Sequence, residues 1–191
     1  MKTERSRILS DRDLWMLIAQ SSYGDSATPL NLRGAVLFGA DLEGADLGGA
    51  NLVGADLRKV NFSGTNLSGA FLAEANLEGA NLQGANLTEA VLSKANLQNG
   101  KLSDADFTDA NLSGVDAKGA EFVRADFTRA DLSQCSFVNA NFTQANLYKA
   151  NLSGSDISGS NLMDANLAKT FLQDTVLDGV LNLIRAKGFK G

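Results

Sequence analysis

Asp41, Asp46, Asn51, Asp56, Asn61 and Asn66 stand five residues apart, and side-chain oxygens at a fixed spacing can do two kinds of chemistry. Paired carboxylates serve as general acid and base, and a row of oxygens holds a hard divalent cation. Both need carboxylates at defined places. Over 30 successive five-residue words this position is Asn 14 times and Asp 8 times, a mixture that neither use accepts. The calcium-binding roll has a different word, nine residues of Gly-Gly-x-Gly-x-Asp. The expectation is therefore that each Asn or Asp hydrogen-bonds the backbone of a turn.

Other reactive types are scarce. The chain has no His, which excludes catalytic triads, HExxH zinc sites and Cys/His nucleophile pairs. The single Cys135 occupies a slot that is Ala in most words, and it reads as a small buried thiol. One Cys also excludes an intramolecular disulfide framework and fits a reducing compartment. Glycines recur at the end of the word, as tight turns require, but match neither GxGxxG nor GxxxxGK[ST]. No catalytic, cofactor-binding or metal-binding residue is expected, and the protein is read as not an enzyme.

With 17 basic and 22 acidic residues the net charge is -5, which argues against direct nucleic-acid binding. The N-terminal "MKTERSRILSDRD" has no apolar core, and "LWMLIA" is far too short for a membrane span. The expectation is a cytoplasmic protein with no membrane association.

The elements that carry these residues follow from the period. Stepping by five from Leu32 gives 30 words without a break, ending at Leu177. Their centres are 22 Leu, 6 Phe (Phe62, Phe107, Phe122, Phe127, Phe137 and Phe142), Ile157 and Ala117. Two residues before the centre, 20 of 30 are Ala; two residues after it, 14 are Gly. On a helix a step of five advances the face by about 140°, which scatters the centres. On a flat strand an odd step alternates them between faces. All 30 centres reach one core only if the backbone turns once per word, so the chain is expected to be a solenoid of stacked coils.

This pattern, Ala-(Asp/Asn)-Leu-x-x over residues 30–179, resembles the pentapeptide-repeat family, in the Leu-centred form common in cyanobacteria. The resemblance implies an all-β solenoid, a right-handed quadrilateral β-helix with four pentads per coil, hence about 7.5 coils and a rod about 36 Å long at the spacing of stacked strands. Residues 20 apart would then stack. The series 32, 52, 72 and onward to 172 is Leu throughout, and Lys101 would face Glu121 and Phe71 face Val91. Phe122 and Phe137 would fill the space left by Ala117.

An open solenoid needs caps. Residues 1–29 are expected to form an N-terminal helical cap. In it Ser10 and Asp13 frame the first turn and Leu14, Trp15, Leu17 and Ile18 plug the core, extended by Ile8 and Leu9. Residues 180–191 are expected to form a short C-terminal capping helix through Val180, Leu181, Leu183 and Ile184, or else a dimer contact.

Function is expected on the outward positions. Asp41 and Glu43 begin an acidic coil, while Arg129, Lys149 and Lys169 would stack as a basic stripe with Arg124 close by. The reading is a non-enzymatic rigid scaffold for protein–protein interaction, with a regulatory role, a protein partner and a monomeric state. A dimer through the C-terminal helix is the alternative state. The alternative function comes from the resemblance: some members mimic B-form DNA and bind DNA gyrase and related type II topoisomerases. Those members favour Phe centres, whereas Leu dominates here.

Overall fold

The computed structural model describes residues 10–22 and 29–188. Ile8 and Leu9 lie outside them. From residue 31 onward the backbone forms parallel bridges between residues 20 apart: Asn31 with Asn51, Val36 with Asp56, Asp41 with Asn61, Asp46 with Asn66, and so on without a slip to Asn161 with Leu181. Four pentads therefore make one coil. Each bridge involves one residue per pentad, because the chain turns a corner before a longer strand can form.

The corner has the same backbone conformation in every word. In the first, the Ala35 N–H donates to the Leu32 carbonyl at 3.0 Å, closing a four-residue turn. The third residue of that turn has positive φ, as a type II turn requires. It is +65° at Gly34, and it stays near +60° where the residue is not glycine, as at Glu74, Arg129 and Lys149. Between coils the Leu32 N–H donates to the Asn51 carbonyl at 2.7 Å and the Asn51 N–H to the Leu30 carbonyl at 2.8 Å. The backbone polar groups are thus satisfied along the axis, which a closed stack of coils permits.

The Leu and Phe centres from Leu32 to Leu167 are buried, with the Ala residues beside them. A larger side chain than Ala at that second position would overfill a narrow tube. At four of the five positions where Thr or Ser replaces the Ala, the hydroxyl donates to the carbonyl of a centre one coil back, as in Thr65 to Leu42 at 2.7 Å and Ser155 to Leu132 at 2.6 Å; Ser160 is the exception. In the middle of the rod, five phenylalanines form two ladders. Phe107 stacks on Phe127 at 4.8 Å and Phe122 on Phe142 at 5.1 Å, with Phe137 edge-on to both members of the second pair. Ala117 is fully buried beside this group.

The helix α1, Asp11–Ser22, lies over the first coil. Its start is a reciprocal cap: the Asp13 N–H donates to Ser10 Oγ at 3.2 Å, and the Ser10 N–H donates to Asp13 Oδ2 at 3.0 Å. Leu14 and Ile18 are buried in the core, Leu17 is half-buried and Trp15 is partly exposed. Trp15 Nε1 donates to the Asp41 carbonyl, and the Asp41 N–H donates to Asp11 Oδ1. The helix thereby satisfies one stretch of the coil's open edge.

The C-terminal segment differs from the expected helix. Among its described residues the only helical element is a single 3-10 turn, Leu183–Arg185. Instead the chain continues the ladder, with Leu181 bridging Asn161 and Lys187 bridging Asn166. One extra residue enters this last pentad, so the second step is 21. The reason is local competition. So short a segment gains little as an isolated helix, while the edge of the preceding coil offers unpaired groups. The Leu181 N–H donates to the Ser160 carbonyl and the Leu167 N–H to the Lys187 carbonyl. Val180 and Leu183 pack partly against the core, whereas Leu181 is exposed and Ile184 is 96% exposed.

Candidate functional site

The Asn/Asp position is occupied by structural hydrogen bonds. Its Oδ1 accepts the N–H two residues on, as in Asn51 to Val53 at 3.2 Å and Asp106 to Thr108 at 2.8 Å. Asn has a second function. Its Nδ2 donates along the axis to the residue one coil back, giving the runs Asn81 to Asn61 to Asp41 and Asn86 to Asn66 to Asp46. Asn166 to Asn146 to Asp126 repeats the rule. An ionised Asp accepts only, so it suits the foot of a run, and Asn suits every rung above. In these runs the order of Asp and Asn follows from which group can donate.

Cys135 is equally committed. Its thiol donates to the Leu112 carbonyl at 3.0 Å, and burial pushes its pKa up to about 12. Such a group stays protonated and is no nucleophile at neutral pH. Among the described residues no three His, Cys, Asp or Glu are grouped so as to hold a metal ion, and no helix is long and apolar enough to cross a membrane.

That leaves the two outward positions of each pentad, where the structure separates the expected surface residues into three groups. Asp41 and Glu43 are exposed but share one donor, Asn61 Nδ2, and α1 covers the Asp41 backbone. Arg129 stands in one column with Lys149 and Lys169, while Arg124 belongs to the preceding corner. Both arginines are engaged by the acid one coil earlier. Arg124 Nε and Nη2 donate to the two oxygens of Asp104 at 2.6 and 2.7 Å, and Arg129 takes Asp109 in the same way. These hydrogen bonds hold both carboxyls below their ordinary pKa.

Lys149 and Lys169 form the third group. Neither makes an ion pair among the described residues, and their ammoniums lie 5.4 and 5.6 Å from the centroid of one ring, Tyr148. The hydrogen bond with Lys169 lowers the Tyr148 pKa, and the charges of both lysines add to the effect. Sequence reasoning missed Tyr148. Its signal is there, since it directly precedes Lys149 and lies one coil and one residue before Lys169. The same two pentads border a shallow hollow of about 550 Å³ lined by Gln144, Ala145, Asn146, Asp164, Asn166 and Lys187.

Comparison with known proteins locates this geometry in a larger group. The family described as pentapeptide repeats matches in 8 copies, over residues 31–69, 72–109, 105–144, 125–164 and 145–181. Among solved structures, HetL, a pentapeptide-repeat protein involved in heterocyst differentiation regulation in the cyanobacterium Nostoc sp. strain PCC 7120, is 25% identical. The likeness covers 94% of both chains with a TM-score of 0.57. QnrB1, a plasmid-mediated fluoroquinolone resistance protein, is 21% identical over 83% of this chain and 84% of its own, with a TM-score of 0.66. The shared fold is a right-handed quadrilateral β-helix. None of the curated proteins matches this chain significantly.

Proposed function

The chain belongs to the pentapeptide-repeat family, and from that premise we propose that it is a non-enzymatic, cytoplasmic scaffold acting in regulation through protein–protein contact. One observation carries the reading. The variable side chains sit in identical turns and stack in register once per coil, so the surface is a fixed lattice. A lattice of this kind presents a partner with preplaced groups and loses little conformational entropy on binding. The likeness to HetL over nearly the whole of both chains supports a regulatory role.

The division of labour proposed is that α1 caps the entrance, residues 30–179 form the coils and residues 180–188 end the rod. That end keeps Phe171, Val176, Leu181 and Ile184 exposed, which supports pairing of two rods end to end as the alternative to a monomer.

A second reading rests on the acidic surface of the coil, net -8 from 18 acidic and 10 basic residues over 30–179. It is a DNA mimic that binds a type II topoisomerase. The likeness to QnrB1 concerns the fold alone at its identity, and lysines without an ion pair among the described residues, Lys149 and Lys169 among them, interrupt the acidic surface. The two readings part in experiment. Capture of a stoichiometric protein partner, lost on outward substitutions that leave the rod folded, supports the scaffold. Inhibition of gyrase supercoiling by the purified chain supports the mimic. Turnover of a substrate that a surface substitution abolishes without unfolding would sink both.

A further inference from the structure

We infer that Tyr148, Lys149 and Lys169 form the contact that recognises the partner, and that the partner offers an acidic polypeptide segment with an Asp or Glu carboxylate seated between the two ammoniums. This deepens the scaffold reading and rests on it.

Lys149 and Lys169 occupy equivalent corners of adjacent coils, which are stacked about 4.8 Å apart. They are like charges held side by side, and neither makes an ion pair among the described residues. The nearby arginines are treated differently. Arg124 is paired with Asp104, Arg129 with Asp109 and Arg185 with Asp164, in each case using the acid one coil back. Lys149 has Arg129 one coil back, and Lys169 has Lys149. The column therefore ends in two cations that the rod itself leaves unanswered.

Tyr148 turns the pair into a site with shape. Its ring lies under both ammoniums, which orients them by cation–π attraction. It also offers an apolar face and a hydroxyl, the combination favoured at the centre of protein interfaces. The adjoining hollow is lined by Gln144, Asn146, Asn166 and Lys187, which suit the backbone and carboxylates of an extended segment, and by Asp164, whose charge Arg185 answers.

The observations favour a protein over other polyanions. Outside this patch the coil is acidic, so a nucleic acid with its continuous charge would be repelled along most of the rod. A membrane surface needs a broad basic or apolar face, and the residues below Tyr148 in its column are Thr128, Thr108 and Thr88.

The test uses the isotope-labelled full chain titrated with octaglutamate, and in parallel with inorganic phosphate, a short DNA duplex and anionic phospholipid vesicles. Amide shifts confined to residues 144–149, 164–169 and 187 are expected with octaglutamate. Affinity should fall about tenfold or more in Lys149→Glu/Lys169→Glu and about threefold or more in Tyr148→Ala. Lys59→Glu/Lys94→Glu, which makes the same change in net charge elsewhere, should leave most of the affinity intact. Shifts spread over other columns, equal loss in the control variant, no binding of octaglutamate, or tighter binding of phosphate, duplex or vesicles would each overturn the inference. Capture of a partner through another face, with no octaglutamate binding here, would overturn it and leave the scaffold reading standing.

Discussion

The guanidinium of Arg129 grips both carboxylate oxygens of Asp109, the residue that fills the same corner one coil earlier. Arg124 and Asp104 repeat the arrangement at the preceding corner. These ion pairs run along the axis and tie coil to coil, so the two arginines are engaged within the rod, whereas Lys149 and Lys169 make no ion pair among the described residues.

The first prediction concerns titration. Asp104 and Asp109 have depressed pKa values, mainly from the arginine hydrogen bonds. A depressed carboxylate contributes stability that is present above its ordinary pKa and is lost as pH falls through the folded-state value. The groups are exposed, so the contribution is small and screened by salt. In Arg124→Ala/Arg129→Ala, carbon-detected NMR should show both carboxyls titrating at higher pH than in the wild type. The stability gap between variant and wild type should close in acid. Unchanged carboxyl midpoints would contradict the pairing.

Backbone conformation gives the second. Glu74 sits at the left-handed corner position with φ of 59°. From Gly34 through to Gly179, no word places a β-branched side chain at this position, in keeping with the steric cost of that region. Glu74→Val should lower stability by about 1–2 kcal/mol, while Glu74→Gly should equal or exceed the wild type. Urea unfolding of the three proteins measures the order, and Val matching Glu would refute the steric origin of the preference.

Aromatic packing gives the third. Phe122 touches four other rings, those of Phe107, Phe127, Phe137 and Phe142. Phe122→Ala should cost about 3–5 kcal/mol. Hydrogen exchange should rise first in the coils on either side of it, because each coil contacts only its neighbours. Uniform acceleration along the rod would argue against this local view.

The fourth contrasts two hydroxyls. Ser160 Oγ is buried with no hydrogen-bond partner among the described residues, whereas Thr65 Oγ1 donates to the Leu42 carbonyl. Both stand where the repeat prefers Ala. Ser160→Ala should raise stability by about 1 kcal/mol by removing an unmet donor, and Thr65→Ala should lower it by about the same amount. Calorimetric melting of the pair reads the opposite signs, and a loss in both would show that Ser160 has a partner.

Much of this architecture is legible in the sequence because its cause is periodic. The unbroken step of five from Leu32 announces a solenoid and Ala at the neighbouring position a narrow core. The four pentads per coil are implied only by the family resemblance, because Leu on Leu would stack for any number of pentads. The amide ladders are legible once their direction is known. Asp41 and Asp46 stand at the foot and Asn61, Asn66, Asn81 and Asn86 above, an order set by which group can donate. The C-terminal segment departs from its sequence pattern for a physical reason. Val180, Leu181, Leu183 and Ile184 have helical spacing, but the edge that captures them lies a full coil earlier in the chain and has no local signature. The stripe is half legible. The column of Arg129, Lys149 and Lys169 follows from the period, while the engagement of Arg129 and the placement of Tyr148 beneath the lysines depend on side-chain geometry.

The most direct measurement is the dissociation constant of a partner captured by the full chain, purified, and titrated against folded variants. Tight, saturable binding by the wild type is expected. Loss of about tenfold or more should accompany Lys149→Glu/Lys169→Glu, with little change in Arg124→Ala/Arg129→Ala or Lys59→Glu/Lys94→Glu. Binding that is indifferent to every outward substitution, or that falls only when the arginines are removed, would contradict a docking role for the two lysines.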